Sequence, residues 1–386
     1  MPSPDSRTVP LLDVQRQTAA IRTELDLAIA QVLNHSRFIL GPEVAQLEEQ
    51  IASHCGTTFA IACASGSDAL LLPLLALGVV PGDRVITTPF TFFASAGSIA
   101  RAGATPVFVD IDPQTFNMDA GLLARYLDSL TPAELRSVKA IMPIHLFGQC
   151  ADMTAINAVA ARHGIPVMED AAQSIGAKQN SRPAAAMSLC GCLSFFPSKN
   201  LGGLGDGGMI VTSDAALADR LRLLRVHGSG ATYYHQLTGI NSRLDTLQAA
   251  ALLVKLRYLD DWTAKRRANA ALYRSEFQAA GASQIVLPAE SEGMFHVYNQ
   301  FTLRVPHRDQ VRSRLTEMGI GSAVYYPLPL HLQECFAHLG YKEGDFPQSE
   351  AAAREVLSLP IEQGLSAEDI HAVVRGVLAA VNPVAS

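Results

Sequence analysis

Cysteine is scarce in this chain: six residues, at positions 55, 63, 150, 190, 192 and 335, in a length of 386. No pair has CxxC spacing, which argues against both a disulfide framework and a zinc site. The one close pair, Cys190 and Cys192, lies in an apolar strand-like run and reads as buried thiols that pack as small hydrophobes. Basic runs interleaved with aromatics are missing too, and 30 Lys+Arg against 36 Asp+Glu leave a net charge of −6. Nucleic acid is therefore not an expected partner. An anionic small molecule would have to be held by local arginines and backbone amides against the global charge. The greasiest stretch, Leu70 to Val80, is short and contains Pro73, and the first seven residues lack a basic start followed by an apolar one. No membrane contact is expected, and a cytoplasmic location follows as an expectation. P-loop, zincin and nucleophile-elbow patterns do not occur.

What is present is a core and a rhythm. Hydrophobic residues make up 48% of the chain, enough for one large domain or two ordinary ones. From about residue 20 to 215, amphipathic stretches alternate with short Val- and Ile-rich runs, the signature of βαβ units and a mostly parallel sheet. Strands are expected at 84–88, 106–110, 139–144, 165–169, 192–196 and 209–212. Helices are expected near 43–54, 67–78, 93–102, 118–129, 151–163 and 215–226. A long helical region at 243–281 then leads into α+β sequence, with strands at 300–305 and 322–326 and helices at 308–318 and 367–381. These readings give a large domain, 1–255, and a smaller C-terminal one, 256–386.

Two segments carry the chemistry. In Val167-Met-Glu-Asp-Ala-Ala-Gln-Ser174 and Leu193-Ser-Phe-Phe-Pro-Ser-Lys-Asn200 an apolar strand runs directly into polar residues, so Asp170 and Lys199 should meet at the carboxyl ends of strands. Open α/β sheets bind ligands there. A lysine amine and a carboxylate in one cleft suit pyridoxal 5'-phosphate (PLP). It needs an amine to carry it as a Schiff base and a carboxylate to keep its ring nitrogen protonated. Gln173, three residues past Asp170, would reach the ring hydroxyl. Ser65-Gly-Ser-Asp68 opens an apolar helix, and the Ser67 and Asp68 amides beyond Gly66 would face a phosphate. Ser194 offers a further hydroxyl, and Phe92 an aromatic face for the ring. The run Gly203-Leu-Gly-Asp-Gly-Gly208 matches G-x-G-x-x-G, but a strand-like segment follows it where a dinucleotide fingerprint requires a helix.

With those residues in place, the chain resembles the DegT/DnrJ-type sugar-nucleotide aminotransferases, PLP-dependent enzymes of fold type I (aspartate aminotransferase-like). The resemblance runs nearly end to end, through Phe38–Val44, Ser65–Leu70, Pro89–Phe92, Gly103–Asp112, His145–Gln149, Glu169–Ser174, Ser194–Asn200, Asn241–Ala250, Tyr325–His331 and Leu357–Ile361. It implies an α/β large domain with a mostly parallel mixed sheet and a smaller α+β domain. Lys199 would be the Schiff-base lysine, Asp170 the partner of the pyridine nitrogen and Gln173 that of the ring hydroxyl. Phe92 would stack on the ring. Gly66, Ser67, Asp68 and Ser194 would bind the phosphate. Asn241 would reach the phosphate of the neighbouring subunit's cofactor, which implies a homodimer with shared active sites. Tyr325, Tyr326 and His331 would border the substrate, although the family often has histidine ahead of the tyrosine.

Within the family the chain looks most similar to enzymes that aminate C3 of UDP-2-acetamido-2-deoxy-3-oxo-glucuronate for bacterial surface polysaccharide (O-antigen). Arg243 would then hold the sugar carboxylate, while an arginine there would equally pair with Asp245 or cap the helix. The resemblance implies L-glutamate as donor and pyridoxamine 5'-phosphate as the intermediate cofactor form. The rivals are a dTDP- or GDP-linked 3-oxo or 4-oxo hexose, PLP-dependent dehydration, and a non-catalytic regulator on the same fold. The relatives that dehydrate carry histidine at the position of Lys199.

Overall fold

Alternation along each strand decides how the sheet is covered. In β1 (Phe59–Cys63), Ile61 and Cys63 join one buried cluster while Ala60 and Ala62 join another on the opposite face. The computed structural model describes residues 7–231 and 233–382. Six further strands complete the sheet: β2 (Arg84–Thr87), β3 (Thr105–Phe108), β4 (Val138–Ile141), β5 (Met168–Asp170), β6 (Cys190–Ser194) and β7 (Gly208–Thr212).

The strands line up as β3-β2-β4, then β5-β6-β7-β1. Single parallel bridges, Ile141 to Val167 and Ile144 to Asp170, join the two halves. Only β7 runs antiparallel to its neighbours, and β6 pairs with it from Gly191 to Ser194. This is the α/β fold of the PLP-dependent transferases that the resemblance implied. On one face the helices Gly66–Ala76 and Ala215–Leu224 bury Leu70, Leu72, Leu74, Leu217 and Leu221. On the other, Pro42–Cys55 and Thr246–Leu256 bury Leu47, Ile51 and Leu252 against Leu193, Met209 and Val211.

Beyond the sheet, β8 (Phe301–Arg304) and β9 (Val356–Leu359) pair antiparallel under the helices Leu259–Ala279 and Ala367–Val381. The expected helical region at 243–281 is two helices, Thr246–Leu256 and Leu259–Ala279, with a break at Arg257 and Tyr258. The second helix serves both cores: Leu259 packs with the sheet, whereas Ala270, Tyr273 and Phe277 pack with β8 and β9.

The segment Ser322–Tyr326 is not a strand, and only Ala323 bridges, to Ser358. Pro327 and Pro329 follow at once and cannot donate to a ladder, so the chain turns its two tyrosines out of the sheet. No helix of the described residues is long and apolar enough to cross a membrane.

Candidate functional site

Strand ends and helix starts converge on one cavity of about 420 Å³. Lys199, Asp170, Gln173, Gly66, Ser67, Phe92, Ser194, Tyr325 and Tyr326 all line it. Residues up to 260 positions apart in sequence thus form one surface, because β1, β5 and β6 all deliver their carboxyl ends to the same side.

Asp170 ends β5 and is buried, 4% exposed. Its Oδ2 accepts a hydrogen bond from Ser95 Oγ at 2.7 Å, and its Oδ1 one from the Ala172 amide at 3.2 Å. Thr91 Oγ1 lies 3.1 Å from Ser95 Oγ and extends the chain of hydroxyls. Burial pushes the Asp170 carboxyl above its ordinary range; the two hydrogen bonds and the Lys199 charge pull the other way. Burial likewise lowers the Lys199 amine to about 8, while Asp170 opposes that shift. An amine near 8 has a sizeable neutral fraction at neutral pH, as imine formation needs.

Behind Asp170 stands a fully buried pair. The Ala151 amide donates to His145 Nδ1 at 3.0 Å, so Nε2 carries the proton and donates to Glu169 Oε2 at 2.9 Å. Glu169 also accepts from the amides of Ala185 and Met187 and from Ser188 Oγ. The His145 amide in turn donates to the Asp170 carbonyl at 3.1 Å. This frame fixes the end of β5 without touching the cavity.

The turn expected to face a phosphate lies where β1 meets the helix Gly66–Ala76. Ser65 caps that helix by accepting the Asp68 amide at 3.1 Å. Of the two amides expected at the phosphate, that of Asp68 is thus already used in the cap, and its carboxylate accepts from Ser242 Oγ at 2.7 Å. The Gly66 and Ser67 amides at the first turn remain. A Cβ on Gly66 would come within 2.7 Å of Ser194 Cβ, so glycine lets the turn and the Ser194 hydroxyl share one space.

These observations test whether PLP fits. Gln173 donates Nε2 to the Tyr326 hydroxyl at 2.9 Å, which leaves its Oε1 buried without a protein partner. A buried carbonyl in that state costs free energy until a donor arrives, and a ring hydroxyl supplies one. Phe92 presents an exposed ring 6.2 Å from that of Tyr326. Together with the amine, the buried carboxylate and the Gly66 turn, the donor set fits the cofactor.

Other expected residues lie outside this cavity. Asn241 is exposed and Arg243 half-buried, neither lines it, and among the described residues the Arg243 guanidinium meets no carboxylate. His331 is buried instead, with Nε2 3.1 Å from Glu350 Oε1 and its ring against Phe346. It is held in the short helix Leu330–Leu332, so the segment 325–331 brings its tyrosines to the cavity and not its histidine.

The glycine run after Lys199 is set by close packing. None of Gly202, Gly203, Gly205, Gly207 and Gly208 has a positive φ. They are glycine because neighbours press on them: a Cβ would meet Pro197 O at 2.3 Å from Gly202 and Ser65 O at 2.3 Å from Gly208. The strand β7 does follow the run, as the rejection of a dinucleotide fingerprint required. Sequence patterns do not single out Ser95, Lys255 or Asp206: Ser95 and Lys255 act through partners remote along the chain, and Asp206 is marked only by the cavity it lines.

Comparison with known proteins agrees with this geometry. A model of the DegT/DnrJ/EryC1/StrS aminotransferase family matches residues 19–378. A "Pleiotropic regulatory protein" of Geobacillus stearothermophilus is 51% identical, over 96% of this chain and 97% of its own length. The UDP-2-acetamido-2-deoxy-3-oxo-D-glucuronate aminotransferase of Pseudomonas aeruginosa is 43% identical over 95% of this chain and 98% of its own. The crystal structure of S. venezuelae DesV in complex with a ketimine intermediate superposes with a TM-score of 0.93 at 41% identity. It covers 98% of this chain and all of that one.

Proposed function

The chain belongs to the DegT/DnrJ/EryC1/StrS aminotransferase family, whose enzymes use PLP, and from that premise we propose that it moves an amino group from L-glutamate to C3 of UDP-2-acetamido-2-deoxy-3-oxo-glucuronate. The observation that carries the reading is the meeting of the Lys199 amine, lowered to about 8, with buried Asp170 in one cavity beside the Gly66 turn. The 43% identity to an enzyme named for that sugar supports the substrate. The Arg243 guanidinium, outside the cavity of one chain, is the group that would hold the sugar carboxylate in this reading.

When bound, the cofactor supplies an electron sink for the carbon that loses its proton. The protein's part follows from its own groups. Lys199 Nζ would hold the cofactor, and after release it would take the proton from the α-carbon of glutamate in the first half of the cycle and deliver a proton to C3 of the sugar in the second. Asp170, whose ionised form Ser95 and the Ala172 amide favour against the effect of burial, would face the ring nitrogen. Gln173 Oε1 would accept from the ring hydroxyl, and Phe92 would cover the ring. Gly66, Ser67 and Ser194 would hold the phosphate. Asn241, exposed and outside the cavity of one chain, would serve the cofactor of a second copy, which makes a homodimer the working assembly. An enzyme that alternates between two cofactor forms in this way gives ping-pong kinetics.

A regulatory reading has one specific support, the printed name of the 51%-identical relative. Against it stands the donor set around Lys199, which fits the cofactor.

The test is a panel of UDP-, dTDP- and GDP-linked 3-oxo and 4-oxo sugars, each offered with L-glutamate. The reading requires the uronate to give the highest kcat/KM. A neutral dTDP-hexose in that place would refute the substrate, and no transfer to any sugar would favour the regulator.

A further inference from the structure

The loop from Gly202 to Gly208 is clamped from several sides. Lys255, fully buried on the helix Thr246–Leu256, donates its ammonium to Gly202 O at 2.7 Å and lies 3.4 Å from Gly203 O. Gln248, two turns earlier on the same helix, accepts the Leu204 amide at 2.8 Å. The Phe195 amide donates to Gly207 O at 2.8 Å and the Gly203 amide to Phe195 O at 2.7 Å. Leu244 and Phe195 close on Gly207, and the Ser65 backbone closes on Gly208. Burying a lysine without a carboxylate partner is costly unless its hydrogen bonds are met, and here both go to this loop.

Only two residues of the clamped run carry side chains. Leu204 turns outward, 45% exposed. Asp206 lines the cavity that holds Lys199 and Asp170, and among the described residues no hydrogen bond or ion pair engages its carboxylate. The clamped backbone thus presents an exposed carboxylate, without a protein partner among the described residues, at the rim of the cavity that Lys199 and Asp170 line.

We propose that Asp206 is a specificity-determining residue that accepts hydrogen bonds from the hydroxyl or amide N–H groups of the sugar ring being aminated. The assignment rests on the reading that the acceptor is an oxo sugar nucleotide. Its chemistry separates the two substrates. A carboxylate repels the carboxylates of glutamate and the diphosphate and uronate groups of the sugar nucleotide, and the amino group of glutamate is committed to the reacting centre at Lys199, so at this place in the cavity the carboxylate suits the neutral donors of the ring. Preorganisation by Lys255 and Gln248 spares the substrate the entropy of ordering that acceptor.

The experiment follows the two half-reactions of the holoenzyme separately by cofactor absorbance. L-Glutamate drives the first, and UDP-2-acetamido-2-deoxy-3-oxo-glucuronate drives the second. For Asp206→Ala, the sugar concentration giving half-maximal rate should rise about ten- to hundred-fold, the range for losing a charge-assisted hydrogen bond. The glutamate half-reaction should stay within about two-fold, and Asp206→Glu should recover part of the loss. An Asp206→Ala enzyme with an unchanged sugar half-reaction would overturn the assignment alone, as would equal slowing of both halves. A wild-type enzyme that reacts with glutamate but with no oxo sugar nucleotide would instead overturn the functional reading, and the assignment with it.

Discussion

Ser95 Oγ donates to Asp170 Oδ2 at 2.7 Å across 75 residues of sequence, joining the first turn of one helix to the end of β5. The bond stabilises the ionised carboxylate against the burial that would neutralise it. Ser95→Ala removes that support and pushes the Asp170 carboxyl further up. Activity should fall about ten-fold in kcat/KM, near the worth of one hydrogen bond to a charged group. Because the ionised form is the working one, the acid limb of the pH profile should also move to higher pH. A profile that keeps its acid limb while kcat/KM drops would mean that Ser95 serves packing alone.

The Lys199 amine is lowered to about 8 by burial, and Asp170 counters the shift. At pH 7 roughly a tenth of such amines are neutral, against well under a hundredth for an ordinary lysine. Cofactor-free protein should therefore capture PLP at a rate that rises with pH and levels off above about pH 8. In Asp170→Asn the opposing charge is gone, so the midpoint should move to lower pH. Stopped-flow absorbance over that range reads both. A midpoint near the ordinary lysine value in the wild type would contradict the burial of this amine.

How far the sequence reached depends on the range of each interaction. The βαβ rhythm and the residues at strand ends are local patterns, and they foretold β2 to β7 and the meeting of Asp170, Gln173, Ser194 and Lys199 in one cavity. Strand β1 escaped because Phe59-Ala-Ile-Ala-Cys63 has two alanines where branched residues usually signal a strand. Asp206, Ser95 and Lys255 escaped for another reason: their meaning lies in partners 50 to 75 positions away or in a cavity no spacing reveals. The glycine run shows a similar limit, since the packed backbone of Pro197 and Ser65 that makes it a requirement for close contact is not visible in the spacing of the glycines. His331 shows the converse limit, since a motif can border a site while its histidine turns into the core toward Glu350.

Gly66 and Ser194 occupy the same corner, with space for no carbon between them. Gly66→Ala must displace Ser194, the Ser65 cap, or both. Overpacking of this kind costs about 1–3 kcal/mol, and here it falls on the groups facing the phosphate. Equilibrium titration should show PLP affinity weakened about ten-fold or more, while the cofactor-free protein melts only a few degrees lower. If affinity stayed at the wild-type value, the phosphate would have to bind elsewhere than at this turn.

Glu169 gives the sharpest stability prediction. Its two oxygens accept from the Ala185 and Met187 amides, Ser188 Oγ and His145 Nε2, all at 2.7–2.9 Å, with no exposed surface on the side chain. Glutamine has one acceptor oxygen, so in Glu169→Gln its NH2 must face at least one backbone N–H. Two donors then meet inside the protein with no water to separate them. The loss should be about 2–4 kcal/mol, read as a melting temperature lower by about 5 °C or more. His145 holds the Asp170 carbonyl, so loosening Glu169 should also weaken PLP binding although neither residue lines the cavity. A variant that melts with the wild type would show that the four hydrogen bonds exchange for water at no cost, which their burial forbids.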